Sequence, residues 1–166
     1  GESPYRVSRY NTVTGEPIQV RDRIGILDRK LRIVSENTQT EEDWLKWAIR
    51  AFQSTYGYEY QGDNVLLARE NLLFTFEDYM VNKFDKKPTL VQMKKIANIV
   101  AWNIWQMNGI TMTTPYSEAA PLHRQMTIFD YMNDNVEEEK VPMYSLIRDW
   151  RAEETIEFRP LMSEGY

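Results

Sequence analysis

Two polar residues stand where an α/β chain places ligand-binding groups. The first is Glu59, in the stretch S-T-Y-G-Y-E-Y-Q-G-D-N-V-L-L-A-R-E-N-L over residues 54–72. This stretch reads as a short strand, a glycine-containing turn and a long helix. Thr55, Tyr56, Tyr58 and Tyr60 are β-branched or aromatic and suit a pleated surface. Gly62 breaks the strand, and Asp63 or Asn64 can cap the first helical turn. Glu59 then falls at or near the carboxyl end of the strand. Ligands sit at that end in open α/β sheets, and an acid there can hold a ribose hydroxyl. The same pattern also describes an ordinary strand–turn–helix unit with no ligand. The second residue is Asn108, in A-W-N-I-W-Q-M-N-G-I-T. Asn103 to Met107 reads as a second buried strand with Asn108 at its carboxyl end. Asn108 either faces the same crevice as Glu59 or makes a plain Asn-Gly turn.

Other chemistries are closed off by composition. The 166 residues include no cysteine and one histidine, His123. Thiolate metal sites, disulfides and a cysteine nucleophile are excluded. A Ser-His-Asp triad would have to use His123, which lies in a polar, proline-flanked stretch and reads as a surface residue. The acidic run N-V-E-E-E-K lacks the D-x-D-x-D-G spacing of a calcium loop and reads as a solvated loop. No metal is expected. The net charge of -5 argues against broad, non-specific nucleic-acid binding. No apolar run approaches the roughly 20 residues that span a bilayer, and no signal peptide is read at the start. A cytoplasmic protein without a membrane partner is the expectation.

The elements that must position these residues form one domain with one core. Residues 1–20 are polar and extended, with a turn at Thr14-Gly15 and one or two short strands. From about Asp22 to Val34, Ile24, Ile26, Leu27, Leu31 and Val34 recur at helical spacing. Arg21, Arg23, Arg29, Lys30 and Arg32 make this the most basic part of the chain. Either they form a solvated helix face or they contact phosphates or a partner. T-E-E-D from Thr40 resembles a capping box and starts a second helix with a stripe of Trp44, Leu45, Ala48, Ile49 and Phe52. A third helix from about Asp63 to Lys83 is apolar over a wide face and should pack on several neighbours. Thr89 and Gln92 cap a fourth. Residues 111–140 read as the least ordered part, with a short T-I-F-D-Y-M helix. Two apolar-rich runs around R-A-E-E read as a C-terminal β-hairpin at a sheet edge, since Pro160 cannot donate to a ladder.

Taken in order, I-L-D-R-K-L, S-T-Y-G-Y-E-Y-Q-G-D-N-V-L-L-A-R-E-N-L, N-I-W-Q-M-N-G-I-T and the pair Y-S-L-I-R-D-W with F-R-P-L resemble the cofactor half of S-adenosylmethionine-dependent DNA adenine methyltransferases of restriction–modification systems and phages. The resemblance runs from about Glu16 to Leu161 and is most specific over Tyr56–Leu72. It implies a small Rossmann-like sheet flanked by about four helices; a helix-rich α+β fold is the alternative. It also implies that Glu59 holds the cofactor ribose and that Asn108 stands where the family carries an acid toward the adenine.

The departures are as informative. The family's glycine-rich turn, [DE]-P-x-x-G-x-G-N-F, corresponds here to E-P-I-Q-V-R-D-R-I-G, which keeps Glu16-Pro17 and loses the glycines that permit close backbone approach. The [DN]-P-P-[YFW] motif that holds the target amine is absent from the sequence. Methyl transfer by this chain alone is therefore not expected, and S-adenosylmethionine binding is open. The implied function is a methyltransferase-like domain acting on DNA or on a partner methyltransferase or nuclease. Two alternatives stand beside it. One is a small phage or mobile-element inhibitor of a host defence nuclease, consistent with acidic charge and many aromatics. The other is the cofactor-binding fragment of an active enzyme.

Overall fold

Two of the four helices start where their caps dictate. A computed structural model describes residues 9–11, 13–115, 117 and 143–158. Helix α1 covers Ile26–Asn37 and helix α2 covers Glu41–Gln53. The Thr40 hydroxyl accepts from the Asp43 amide and opens α2. Helix α3, Gly62–Phe84, ends at Asp85, which takes the left-handed conformation with φ 51°. Helix α4 is Leu90–Asn103. Its capping box is complete: the Gln92 amide donates to the Thr89 hydroxyl, and the Thr89 amide to the Gln92 side chain.

The helices close on one core. Trp44 of α2 stacks on Phe76 of α3 at 5.7 Å and meets the edge of Phe84 at 5.8 Å, while Phe52 meets Phe76 edge-on at 6.0 Å. Leu27 and Leu31 of α1, Met80 of α3 and Ile96 of α4 fill the same core. Each such side chain contributes roughly 2 kcal/mol through burial. The wide apolar face of α3 is used as its composition predicts, against α1, α4 and the strands.

Strand β1, Gly57–Glu59, pairs in parallel with β2, Ile104–Gln106. Gly57 lies opposite Ile104, Tyr58 opposite Trp105 and Glu59 opposite Gln106. A parallel pair needs a long crossover, and α3 with α4 supplies it. Ile104 faces the helical core. By the alternation of a strand, Trp105 faces the opposite side, where it meets Tyr56, Tyr58 and Phe158 at ring distances of 6.5, 6.1 and 5.2 Å. The Met107 amide donates to the Glu59 carbonyl, so Glu59 points its main chain toward β2 and Tyr58 points its own toward the other edge. No strand among the described residues pairs with that edge.

The predicted C-terminal hairpin is present, as β3, Leu146–Asp149, and β4, Glu154–Glu157, joined through residues 150–153. It forms a two-stranded sheet of its own among the described residues. Its anchor is the buried Asn103 at the end of α4. The Asn103 side-chain amide donates to the carbonyls of Phe52, Gln53 and Thr55, and its oxygen accepts from the Trp150 indole at 2.6 Å. One side chain thus joins the end of α2, the approach to β1 and the hairpin.

The architecture is mixed α and β, with four helices and two sheets of two strands among the described residues. A multi-stranded Rossmann-like sheet is not seen among them. Of the expected N-terminal strands, the described residues show one bridge, between Tyr10 and Pro17. Between them the chain turns tightly: the Asn11 side chain accepts from the amides of Val13 and Thr14, and Gly15 has φ 73°. The first helix begins at Ile26 rather than Asp22, because Val20–Asp22 forms a short 3-10 turn and Arg23 is drawn inward. Ile24 and Ile26 are consequently exposed. His123, Pro160 and the T-I-F-D-Y-M segment lie outside the described residues, as does most of 111–140.

Candidate functional site

Parallel pairing sets the carboxyl ends of β1 and β2 side by side; Glu59 ends β1, and Asn108 lies in the turn two residues past Gln106, where β2 ends. Both side chains are partly used by their own turns. One Glu59 carboxylate oxygen accepts from the Tyr60 and Gln61 amides at 2.8 and 3.2 Å. These amides lie just before α3, whose N-cap residue is Gln61 rather than Asp63 or Asn64 and makes no side-chain cap. The Asn108 side-chain oxygen accepts from the amides of Ile110 and Thr111 at 2.9 and 3.4 Å. This is the Asn-Gly turn reading in atomic detail. The other carboxylate oxygen of Glu59 and the side-chain NH2 of Asn108 have no partner among the described residues. The site therefore offers one acceptor and one amide donor on neighbouring strand ends.

Two contacts hold these ends in register. The Gln106 side chain donates to the Tyr60 carbonyl at 2.9 Å, tying the turn after β1 to β2. The Tyr58 ring lies against Gly109, where an added Cβ would stand 2.8 Å from the ring. Glycine is required there by contact, not by a positive φ. Chemically the arrangement can hold a diol or a hydroxyl with Glu59 and an acceptor atom with Asn108. It contains no nucleophile beside a base, and no group of three or more His, Cys, Asp or Glu side chains able to hold a metal occurs among the described residues. No helix among them is long and apolar enough to cross a membrane.

The basic residues of the first helix and its approach do not gather on one outward face. Arg21 is exposed beside Asp22, and Arg29 is exposed. Arg23 is only 6% exposed; it donates to the Ile18 carbonyl and pairs with Asp78 of α3 at 2.8 Å. The Lys30 ammonium donates to the Ser54 carbonyl and to the hydroxyls of Ser54 and Thr55. Arg32 donates to the Arg23 carbonyl. Three of the five cations are thus built into the fold.

A buried ionic cluster is the feature that sequence reasoning missed. Asp78 takes Arg9 in a two-point contact at 2.8 and 3.2 Å as well as Arg23. Burial alone would raise its carboxyl, but the Arg9 hydrogen bond and the Arg23 charge hold it below the ordinary value. Asp28 of α1 is fully buried nearby, and neither carboxylate oxygen has an aligned hydrogen bond. Burial pushes this carboxyl up, against the pull of Arg23. The Tyr79 hydroxyl donates to the Asp28 carbonyl at 3.0 Å, and burial raises its own pKa. The signal was there to read: Asp28 sits between Leu27 and Leu31, on the apolar stripe of its helix.

Comparison with known protein families, curated proteins and solved structures finds no match for this chain.

Proposed function

We propose that this chain is the nucleoside-binding half of a DNA-methyltransferase-like unit, one that transfers no methyl group alone and acts in restriction- or phage-related DNA biology through DNA or a protein partner. The observation that carries this reading is the parallel pairing of β1 and β2, with Glu59 at the carboxyl end of β1 and Asn108 in the turn that leaves β2. On this reading the free carboxylate oxygen of Glu59 accepts from the ribose hydroxyls of S-adenosylmethionine. The Asn108 NH2 donates to a ring nitrogen of the adenine, where an acid would accept from the exocyclic amine. Purely parallel sheets occur with both faces covered, so a lone pair of parallel strands is an unusual finished structure. In this proposal β1 and β2 belong to a larger Rossmann-like sheet that continues from the open edge of β1.

The loss of the glycine turn fits the same reading. The residues at the corresponding place run into Arg23, whose side chain is spent on Ile18 and Asp78. That segment is organised to brace α3, and methyl transfer is left to another polypeptide.

The test is thermal shift and calorimetry with S-adenosylmethionine and with adenosine. A ligand at 100 times its Kd stabilises a fold by about 2.7 kcal/mol, or roughly 5–10 °C for a chain of this size. The expected result is such a shift, lost in Glu59→Ala. The reading fails if neither ligand moves the melting temperature at millimolar concentration. A stable stoichiometric complex with a nuclease would then favour the inhibitor function. Transfer of a labelled methyl group to DNA by the purified chain would overturn the expectation that it performs no chemistry alone.

A further inference from the structure

Most of the cations in the described residues are consumed by the fold. Arg9 and Arg23 hold Asp78, Lys86 and Lys87 pair with Glu41 and Glu77, and Arg69 and Lys83 donate to main-chain carbonyls. Lys46, Arg50 and Lys95 differ, as do Arg29, Lys94 and Arg151, but only the first three gather in one groove. They make no ion pair or hydrogen bond among the described residues. All three line one shallow, open groove of about 340 Å3 between α2 and α4. Leu45 and Ile49, both half-buried, give the groove its apolar surface. Beside it the Arg50 guanidinium lies 5.0 Å over the ring of Trp47, which is 47% exposed. Glu42 also lines the groove and forms no ion pair there.

We infer that this groove docks an acidic amphipathic helix of a partner protein. The argument is charge complementarity around an apolar floor. Two adjacent helices leave between them a furrow into which a third helix can lay its apolar face, with side chains at i, i+3 or i+4 and i+7 as anchors. Leu45 and Ile49 would receive those anchors, and Lys46, Arg50 and Lys95 the carboxylates beside them. Leu45 and Ile49 pack inward on the core and keep part of their surface open to the groove, and an apolar helix face covers that surface where a nucleic-acid backbone does not. The groove lies on α2 and α4, whereas the nucleoside reading rests on Glu59 and Asn108, so either can stand without the other.

The test uses the whole chain and a labelled 18-residue peptide with leucines at helical spacing and glutamates elsewhere, followed by fluorescence anisotropy. The expected result is saturable binding, weakened at least roughly tenfold in the double variant Lys46→Glu/Arg50→Glu and in Ile49→Gln. Arg151→Glu, on the hairpin turn, should bind as the parent does. Circular dichroism of each variant checks the fold. If charge reversal lowers the melting temperature, the milder Lys46→Gln/Arg50→Gln pair gives the same readout. Binding that ignores these substitutions overturns the inference, as does no binding up to the peptide's solubility limit. A DNA duplex that binds more tightly and displaces the peptide would also overturn it, and would reassign the face to nucleic acid.

Discussion

The strand ends and the N-terminal ionic cluster use acids in opposite ways. Glu59 satisfies the two amides before α3 with one oxygen and keeps the other without a partner among the described residues. Asp78 spends both oxygens on Arg9 and Arg23, and Asp28 is sealed from water beside them. The difference separates acids that build the molecule from the acid that can meet a ligand. A buried charge is tolerated only with partners, and its removal strands those partners. A strand-end acid that caps its own turn can be lost with little harm to the fold.

The largest expected effect lies in the cluster. Asp78→Ala leaves Arg23 buried without its carboxylate and should cost about 3 kcal/mol in urea unfolding. The pH profile sharpens the contrast within the cluster. The folded pKa of Asp78 is depressed, so its stabilising contribution is full above the ordinary carboxylate range and is lost as pH falls through the folded value. The destabilisation by Asp78→Asn should therefore be greatest at neutral pH and shrink in acid. The folded pKa of Asp28 is raised, so its titration favours the fold below the ordinary range and loses that contribution as pH rises through the folded value. Asp28→Asn should gain relative to the parent as pH rises. Melting curves from pH 3 to pH 7 for both variants check the opposite slopes.

A middle effect is expected at the strand ends. Gly109→Ala places a methyl group 2.8 Å from the Tyr58 ring, which must move. A cost of about 1 kcal/mol is expected, falling well below that in the Gly109→Ala/Tyr58→Ala background. Purely additive losses would show that Tyr58 does not set the position of this turn. The smallest effect on stability belongs to Glu59→Ala, about 1 kcal/mol or less by denaturant midpoint, from the loss of an exposed cap. A loss of several kcal/mol would break the comparison, because Glu59 would then be a structural acid like Asp78.

Much of this organisation was legible because its causes are local. Helices α2 and α4 follow from Thr40 and Thr89 with the apolar stripes behind them. Strand β1 follows from the alternating tyrosines; β2 is shorter than the Asn103–Met107 read from sequence, because Asn103 closes α4 and the strand ends at Gln106, two residues before the Asn-Gly turn. The hairpin follows from two apolar runs around a polar turn. The basic run near α1 was legible as charge but not as position. Arg23 reaches Asp78, and Lys30 reaches Ser54, only after the helices have packed. The groove cations were hidden for the converse reason: Lys46, Arg50 and Lys95 stand out by gathering in one groove without an ion pair or hydrogen bond among the described residues, which no local pattern records. Among the described residues the parallel sheet has two strands rather than the expected Rossmann-like set, because only two of the segments read as strands meet in it there.

Asn103 has a consequence for how the molecule comes apart. Its amide grips three carbonyls at the end of α2 and holds the Trp150 indole of the hairpin with its oxygen. The hairpin cannot peel away without breaking a partly buried bond in the same network that anchors the helices. Hydrogen exchange at the strand amides of 146–149 should therefore slow toward the rate set by opening of the whole helical body. A short surface ribbon thereby belongs to the same cooperative unit as the core.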